Sequence, residues 1–397
     1  MVEFSKKVLS NGLTVLHEKR DVPVTTVMLG TKYGSRYETE SEKGMAHFIE
    51  HLCFKGTEKR TAKEIAKEIE GVGGILNAFT SEEVTAYHAK FPSVHLKKVV
   101  EVLFDIYYNP IFPEEDVKRE AEVICEEIKM YYDNPRAHTL ESIKEQCYAK
   151  PFGMFIGGPQ ENVRGMTREI LLKKHREVYT PHNSVMIVVG NNSFEEVLKL
   201  AEEFQIERAF NKISKPEIIE RTAKEEEHRS NLQQSNIALG FHFPKANDTN
   251  RFAAEVFSDI LGGGMSSRLF TEVREKRGLV YGVKTAFDSG VDYGYLMIWA
   301  GTDPSKVEEV KAVCLEEFRK MANLTEEELT EAKTKLLGSN KVSLESSDEV
   351  ARELLVSWIE GKPESFYNFE KEILKVTLED VKKLAEKTEF SFFSLGP

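Results

Sequence analysis

Cysteine is scarce in this sequence, which has only four among 397 residues and no C-x-x-C pair. This scarcity excludes a dense disulfide framework and indicates reduced thiols, as in cytoplasmic proteins. Long apolar runs are absent as well. No stretch approaches the roughly 18 residues of a membrane helix, and the first residues contain no apolar run of signal-peptide length. The sequence therefore predicts a cytoplasmic protein that has no membrane partner.

Positive charge is also in the minority. The chain has 54 Lys and Arg against 66 Asp and Glu, which gives a formal net charge of −12. Such an excess of acidic residues argues against nucleic acid as a partner. The length and an apolar fraction of 41% fit a globular protein that is large enough for two or more domains.

The most informative segment that is present is His47-Phe48-Ile49-Glu50-His51. On a helix, positions i, i+3 and i+4 share one face, so two imidazoles and one carboxylate point to the same place. Imidazole is a preferred zinc ligand, and catalytic zinc sites combine three protein ligands with one open position for water. Glu50 is then free to accept a proton. The alternative is a solvated polar face, but the apolar neighbours predict a largely buried helix whose polar groups need partners.

A third ligand must come from elsewhere in the chain. The sequence predicts a long helix over residues 113–132, because it begins with proline and then three acidic residues, which suit the first turn of a helix. This helix offers four acidic candidates. Two of them, seven residues apart, share a face, but spacing alone does not choose among Glu120, Glu122, Glu126 and Glu127.

The run Gly44-Met-Ala-His-Phe-Ile-Glu-His-Leu-Cys-Phe-Lys-Gly-Thr57 resembles the signature of the pitrilysin/insulinase family of zinc peptidases, the inverzincins. It is closest to the branch that contains the β subunit of mitochondrial processing peptidase and short bacterial processing proteases. The resemblance covers nearly the whole chain. Further matches are Gly34-Ser35-Arg36-Tyr37-Glu38, Leu76-Asn77-Ala78-Phe79-Thr80, Gly157-Gly158-Pro159, Ser267-Arg268-Leu269-Phe270 and Arg274-Glu-Lys-Arg-Gly-Leu-Val-Tyr281.

The resemblance implies a role for each candidate. In the family the third zinc ligand lies about 76 residues after the second histidine, a distance that matches Glu127. A second family glutamate, seven residues earlier, supports the site, and Glu120 matches it. His47, His51 and Glu127 would then bind one Zn²⁺ per chain, and Glu50 would act as the general base in peptide hydrolysis.

Substrate-binding residues are also implied. Peptidases of this family bind the peptide as an additional strand at a sheet edge, and Asn77 and Ala78 match that edge strand. Arg274 and Tyr281 match an Arg/Tyr pair that reaches the substrate from the opposite half of larger family members. Those larger enzymes have about four such domains in one chain, whereas this chain has two. We therefore expect a homodimer in which the pair acts across the subunits.

An internal repeat defines the predicted domains. Pro92-Ser-Val-His-Leu-Lys-Lys-Val and Pro304-Ser-Lys-Val-Glu-Glu-Val each follow strand-like sequence and open an amphipathic helix, at an offset of 212 residues. The prediction is a zinc-binding domain over 1–212, a polar linker over 213–231, and a homologous domain without metal over 232–397. Several strand-like segments are adjacent in the sequence. This order predicts an α+β fold, each domain having a mixed, largely antiparallel sheet with helices packed on one face.

Three functions fit these observations. The first is a zinc-dependent endopeptidase that hydrolyses peptides or unfolded polypeptide segments. The second is a non-catalytic structural or assembly subunit, like the inactive relatives in respiratory complexes, and the third is the processing of one dedicated peptide precursor. Inactive relatives typically lose a ligand or the base, whereas this chain retains His47, Glu50, His51 and Glu127. The sequence therefore favours the endopeptidase.

Overall fold

The computed structural model describes residues 3–210 and 212–397. The chain forms two compact units, each assembled from three segments. The first unit comprises Met1–Ile128, Ile156–Pro216 and Ser343–Phe366, and the second comprises Lys129–Phe155, Glu217–Val342 and Tyr367–Pro397. Each unit therefore includes a short segment from the half of the chain that supplies most of the other unit.

The first unit has a six-stranded sheet in the order β1-β2-β6-β3-β5-β4. Only the pair β2–β6 is parallel, and the other four pairs are antiparallel. In the described part of the chain, β4 pairs with β5 alone, so β4 is an edge strand. The strands are β1 (Glu3–Val8), β2 (Thr14–Lys19), β3 (Val24–Thr31), β4 (Ile75–Thr80), β5 (Thr85–Pro92) and β6 (Ser184–Gly190).

The second unit has a five-stranded sheet in the order β7-β11-β8-β10-β9. Here the pair β7–β11 is parallel and the other three pairs are antiparallel. The strands are β7 (Lys224–His228), β8 (Ser235–His242), β9 (Val280–Ser289), β10 (Gly294–Thr302) and β11 (Ser391–Gly396).

Fourteen α-helices accompany the two sheets in the described residues. The long helix predicted over 113–132 is confirmed as α4. In chain order they are α1 (Met45–Cys53), α2 (Ala62–Glu70), α3 (Leu96–Tyr108), α4 (Glu114–Asp133), α5 (Pro135–Cys147), α6 (Gln160–Gly165), α7 (Arg168–Val178), α8 (Phe194–Phe204), α9 (Arg251–Gly262), α10 (Val307–Lys320), α11 (Glu326–Ser343), α12 (Ser347–Ile359), α13 (Phe369–Lys375) and α14 (Leu378–Leu384).

Most helices pack on one face of each sheet, and a single helix covers the opposite face. In the first unit, Val27 and Leu29 of β3 join the main core with Phe48 of α1. On the other face α12 lies against the sheet: the hydroxyl oxygens of Thr26 and Ser347 are 2.8 Å apart. Gly30 leaves room for Leu355, because a Cβ there would lie 2.6 Å from a leucine methyl.

The second unit repeats this arrangement. Phe241 of β8 stacks on Phe318 of α10, with ring centroids 4.0 Å apart, in the main core. On the other face α5 packs against β8 and β11, and Ile143 and Cys147 lie in a small cluster with Ala238. The predicted α+β class with mixed, largely antiparallel sheets is confirmed. The prediction that the helices pack on one face of each sheet is wrong for α12 and α5, which cover the opposite face of the first and second sheets.

The predicted boundaries at 1–212, 213–231 and 232–397 concern the sequence repeat, and they stay a prediction. In terms of packing, α5 belongs to the second unit although it precedes residue 212, and α12 belongs to the first unit although it follows residue 232. Part of the predicted linker is a strand, because residues 224–228 form β7 at the edge of the second sheet.

The four cysteines are all buried and none forms a disulfide. They therefore behave as small apolar core residues. Across the described residues, no helix combines the length and the apolar character that crossing a membrane requires.

Candidate metal centre

Helix α1 presents three polar side chains on an otherwise buried surface. Its apolar residues, among them Phe48, Ile49 and Leu52, are fully buried in the first core. His47, Glu50 and His51 alone are partly accessible. This pattern follows from the helical period, since positions i, i+3 and i+4 share a face. The prediction of a buried helix with one polar face is confirmed.

The N-terminus of α1 is fixed by a carboxylate from a preceding turn. The two carboxylate oxygens of Glu38 accept hydrogen bonds from the backbone N–H groups of Gly44 and Ala46, at 3.1 and 2.6 Å. A carboxylate at this position satisfies free helix donors and complements the positive end of the helix dipole. Burial raises the pKa of Glu38, although Lys43 and these N–H groups oppose that shift. Glu38 therefore fixes where the first turn of α1 begins, and this determines the position of His47.

Three side chains from two helices converge on one point. The Nε2 atoms of His47 and His51 lie 3.8 and 3.6 Å from Oε2 of Glu127 on α4. These three residues are the one group in the described chain whose His, Cys, Asp or Glu atoms could jointly hold a metal. The structure thus brings together the two predicted histidines and, of the four acidic candidates, Glu127.

Glu120 contacts the back of the second histidine. Its Oε2 lies 3.3 Å from Nδ1 of His51, and its Oε1 lies 2.7 Å from Nζ of Lys55. Burial favours the protonated form of Glu120, but the hydrogen bonds from His51 and Lys55 outweigh it, so that its pKa is lowered. An ionised Glu120 holds the proton of His51 on Nδ1 and leaves Nε2 as a free lone pair facing Glu127.

The donor set fits zinc. Nitrogen and oxygen ligands of a tetrahedral zinc lie roughly 3.3–3.6 Å from one another, which is close to the measured separations from Glu127. Burial, followed by the charge of the neighbouring His51, lowers the pKa of His47 to about 4, so its imidazole is neutral and able to coordinate. Within the described residues, the buried Nδ1 of His47 has no hydrogen-bond partner, whereas Nδ1 of His51 contacts Glu120.

Glu50 is held by a residue of the edge strand. The hydroxyl of Thr80 donates a hydrogen bond of 2.5 Å to Oε2 of Glu50. Burial raises the pKa of Glu50, although the bond from Thr80 and the charge of His51 counteract part of that shift. With one carboxylate oxygen fixed, the other is available to take up a proton on the same helix face as the histidines.

Asn77 and Ala78 lie on the edge strand itself. Residues 75–80 form β4, whose outer edge is unpaired in the described chain, and α1 packs against this strand. The side-chain oxygen of Asn77 accepts a 2.8 Å hydrogen bond from the N–H of Ala78. An unpaired strand edge offers backbone groups to an extended peptide. The geometry is therefore compatible with the predicted role of these two residues, which stays a prediction.

Arg274 and Tyr281 belong to the second unit. Arg274 lies in a short π-helix over Phe270–Glu275, and its guanidinium is 4.7 Å from the ring centroid of Phe270. Tyr281 on β9 is 53% exposed and donates a 3.2 Å hydrogen bond to Asn236. Their predicted contact with substrate is not tested by these observations.

Three residues of the site were absent from the sequence reasoning as functional groups, namely Glu38, Lys55 and Thr80. Lys55 lies two residues beyond the end of α1, and its contact with Glu120 on α4 joins residues that are 65 positions apart in the sequence. Thr80 is 30 residues away from Glu50 in the sequence and Glu38 precedes α1, so only the tertiary structure reveals these contacts.

Comparison with known proteins covers almost the whole chain. A family model described as Insulinase (Peptidase family M16) matches residues 13–160, and one described as Peptidase M16 inactive domain matches residues 165–336. A Bacillus subtilis protein named as an uncharacterized zinc protease is 33% identical over 388 residues, which cover 96% of this chain and 92% of the relative. A Mycobacterium tuberculosis protein with a similar name is 33% identical, with coverages of 95% and 89%.

Solved structures share the fold. The crystal structure of a protease from Helicobacter pylori matches with a TM-score of 0.93 and 25% identity, covering 100% of both chains. The crystal structure of a peptidase M16 inactive domain from Pseudomonas fluorescens matches with a TM-score of 0.92 over 100% and 98% of the two chains. At 21% identity this second match bears on the fold alone.

Proposed function

The chain belongs to the insulinase family of zinc peptidases, peptidase family M16, and we propose that it is an endopeptidase that hydrolyses peptides or unfolded polypeptide segments. The observation that carries the proposal is the convergence of His47, His51 and Glu127 beside a glutamate on the same helix face. This grouping supports an active enzyme over a non-catalytic subunit.

In the proposed mechanism, His47, His51 and Glu127 would hold one zinc ion per chain. When bound, Zn²⁺ supplies Lewis-acid chemistry, lowering the pKa of a water molecule toward ~7 and polarising a peptide carbonyl. Glu50 takes the proton on its free carboxylate oxygen and passes it to the leaving amine. Thr80 keeps the other oxygen of Glu50 in place during both transfers. The substrate lies extended along the unpaired edge of β4, the strand that contains Asn77 and Ala78.

Digestion of a mixed peptide library tests this function. The purified chain should cleave internal bonds, stop cleaving when a chelator removes the metal, and resume when zinc is restored, with the products identified by mass spectrometry. A broad product set supports general peptide hydrolysis, whereas cleavage of very few sequences supports processing of a dedicated precursor. Cleavage that persists unchanged after complete zinc removal contradicts the metal mechanism, and no cleavage by the zinc-loaded chain supports the non-catalytic alternative.

Thr80→Val should slow hydrolysis without removing the metal. Valine has nearly the same shape as threonine but cannot donate a hydrogen bond to Glu50. A hydrogen bond to a charged group contributes ~1.5–3 kcal/mol, so we expect kcat to fall roughly 10–100-fold, with KM and zinc content little changed. Thr80→Ser retains the hydroxyl and should keep most of the activity. Equal losses in the serine and valine variants would show that the hydroxyl does not position Glu50.

We further propose that the chain acts as a homodimer in which Arg274 and Tyr281 contact substrate at the partner's metal centre. Arg274 carries a permanent positive charge and a fork of donors, and the exposed Tyr281 carries one hydroxyl donor. Such donors can stabilise the negative charge that develops on a peptide carbonyl oxygen during hydrolysis.

Mixing two inactive variants tests this arrangement. Glu50→Gln and Arg274→Ala chains should each be nearly inactive alone. In a mixed dimer, one site combines an intact Glu50 with an intact Arg274 from the other chain, so roughly a quarter of wild-type activity should return at equal amounts after subunit exchange. The dimeric site would be contradicted if the mixture stayed inactive although subunit exchange was demonstrated. It would also be contradicted if the chain were fully active while light scattering showed it to be a monomer.

A further inference from the structure

A polar cavity whose lining residues are separate from those of the metal centre lies in the first unit. It has a volume of about 390 Å³ and is lined by residues that include the ends of α3 and α7. Four of its lining side chains are cations from three parts of the chain, namely Lys59, Arg168, Arg176 and Arg208. We call this cavity the basic pocket. Its volume falls within the usual range of small-molecule sites, roughly 300–1,000 Å³.

The positive charge of the basic pocket is not neutralised by the protein. In the described chain none of these four cations forms an ion pair with a carboxylate, although acidic residues outnumber basic ones by twelve. Elsewhere arginines are commonly paired, as Arg119 is with Asp116 at 2.8 Å. A cavity whose lining cations form no ion pairs is therefore unusual within this acidic molecule.

Two acidic residues also line the basic pocket, and they offset only part of its positive charge. Asp105 is engaged through Oδ2 by Arg60 and by the hydroxyl of Thr57, at 2.8 and 2.7 Å. Glu58 is an exposed side chain that makes no ion pair within the described chain. The buried Oδ1 of Asp105 has no hydrogen-bond partner in the described chain. Four cations nevertheless line the pocket with only two acids, so its net charge is positive.

Two of the guanidinium groups are held rigidly. Arg168 donates to the backbone carbonyls of Phe112 and Ile111 at 2.7 and 2.9 Å. Arg208 donates to the carbonyls of Tyr179 and Tyr108 at 2.8 and 3.0 Å. A guanidinium has five N–H donors, so each arginine retains donors that have no acceptor in the described structure. Anchored donors bind a ligand at a lower entropic cost than mobile ones.

The third arginine of the basic pocket does not stabilise the backbone, so such a role does not explain its position. Arg176 makes none of these carbonyl contacts and has no hydrogen-bond partner in the described chain, yet it lines the same cavity. Arg176 and Arg208 line the same cavity, and burial lowers the pKa of Arg208. Like charges in proximity repel each other, so their grouping favours an anion between them.

We propose that the basic pocket binds a phosphate group, either inorganic phosphate or the phosphate of a small metabolite. Guanidinium forks match the oxygens of phosphate and can bind them in pairs, and a doubly charged anion suits several converging cations better than a single carboxylate does. This site does not depend on the proposed peptidase activity, because its residues are distinct from those of the metal centre.

Calorimetric titration of the full-length chain tests the proposal. Inorganic phosphate, pyrophosphate and acetate are titrated separately at one fixed ionic strength, into wild type, Arg176→Gln and Arg119→Gln. Arg176→Gln removes one pocket charge without breaking a backbone contact, and Arg119→Gln removes an exposed charge on α4 as the matched control. Thermal melting of each variant without ligand verifies that all three chains are folded.

The expected result is saturable binding of phosphate or pyrophosphate at one site per chain. Arg176→Gln should weaken it roughly tenfold or more, as the loss of a charge-assisted hydrogen bond does, and Arg119→Gln should leave it unchanged. Stronger binding of pyrophosphate than phosphate points to a phosphorylated metabolite, and the reverse order points to free phosphate. The proposal would be overturned if no saturable binding were observed, or if acetate bound as tightly as phosphate. It would also be overturned if Arg176→Gln left the binding unchanged, as expected for phosphate that binds at the metal centre instead.

Discussion

Glu50→Gln should lose peptide hydrolysis while retaining its zinc. The amide of glutamine has nearly the shape of the carboxylate and can still accept the hydrogen bond from Thr80, so the helix face is undisturbed. It cannot take up a proton, and loss of a general base typically lowers a rate by ~10²–10⁴-fold. The measurement is kcat on a peptide substrate, together with the metal content of the same sample.

A matched substitution controls for general effects of the charge change. Glu115→Gln alters an exposed glutamate in the first turn of α4, away from the converging side chains, and it should leave both the rate and the zinc content unchanged. If Glu50→Gln hydrolysed peptides at close to the wild-type rate, the role given to Glu50 would be wrong. If it lost zinc, Glu50 would be acting in metal binding.

The second large effect concerns Glu127. Glu127→Ala removes one of three converging ligands, and we expect it to abolish tight zinc binding. Glu120→Ala removes only the carboxylate that orients His51, and such losses typically weaken a metal site by ~10–100-fold. Zinc content after exhaustive dialysis, followed by titration with a competing chelator, distinguishes the two results. Equal zinc retention in wild type and Glu127→Ala would exclude Glu127 as a ligand.

The helical half of the metal centre could be predicted from the sequence, because His47, Glu50 and His51 lie on one helix and a period of 3.6 residues fixes their common face. The third ligand could not be chosen in this way. Periodicity places Glu120 and Glu127 on one side of α4, but it does not reveal which end of that side meets α1. In the structure Glu120 is 4% exposed behind His51, whereas Glu127 faces both histidines. The choice made from the family resemblance agrees with this geometry.

The exchange of α5 and α12 between the two halves of the sequence was not predicted, for a related reason. An amphipathic helix shows that it covers an apolar surface, but its sequence does not say which surface. A partial signal was present in β3 and β6, whose residues are apolar or small on both faces and are buried along almost their whole length. Strands that are covered on both sides have continuous apolar sequences, so this pattern could have indicated cover on both faces, although it does not identify which helix provides it.

The position of α12 in the chain has a consequence for synthesis on the ribosome. Every candidate ligand lies within the first 127 residues, yet the sheet beneath them is covered on its second face by residues 347–359. Met28 and Ile187 are fully buried in the folded protein. During synthesis they are not covered by this helix until it has been made. The first unit cannot complete its packing until about nine-tenths of the chain has been translated. A protein cut before residue 343 would keep all the candidate ligands and lack the helix that closes the sheet supporting them.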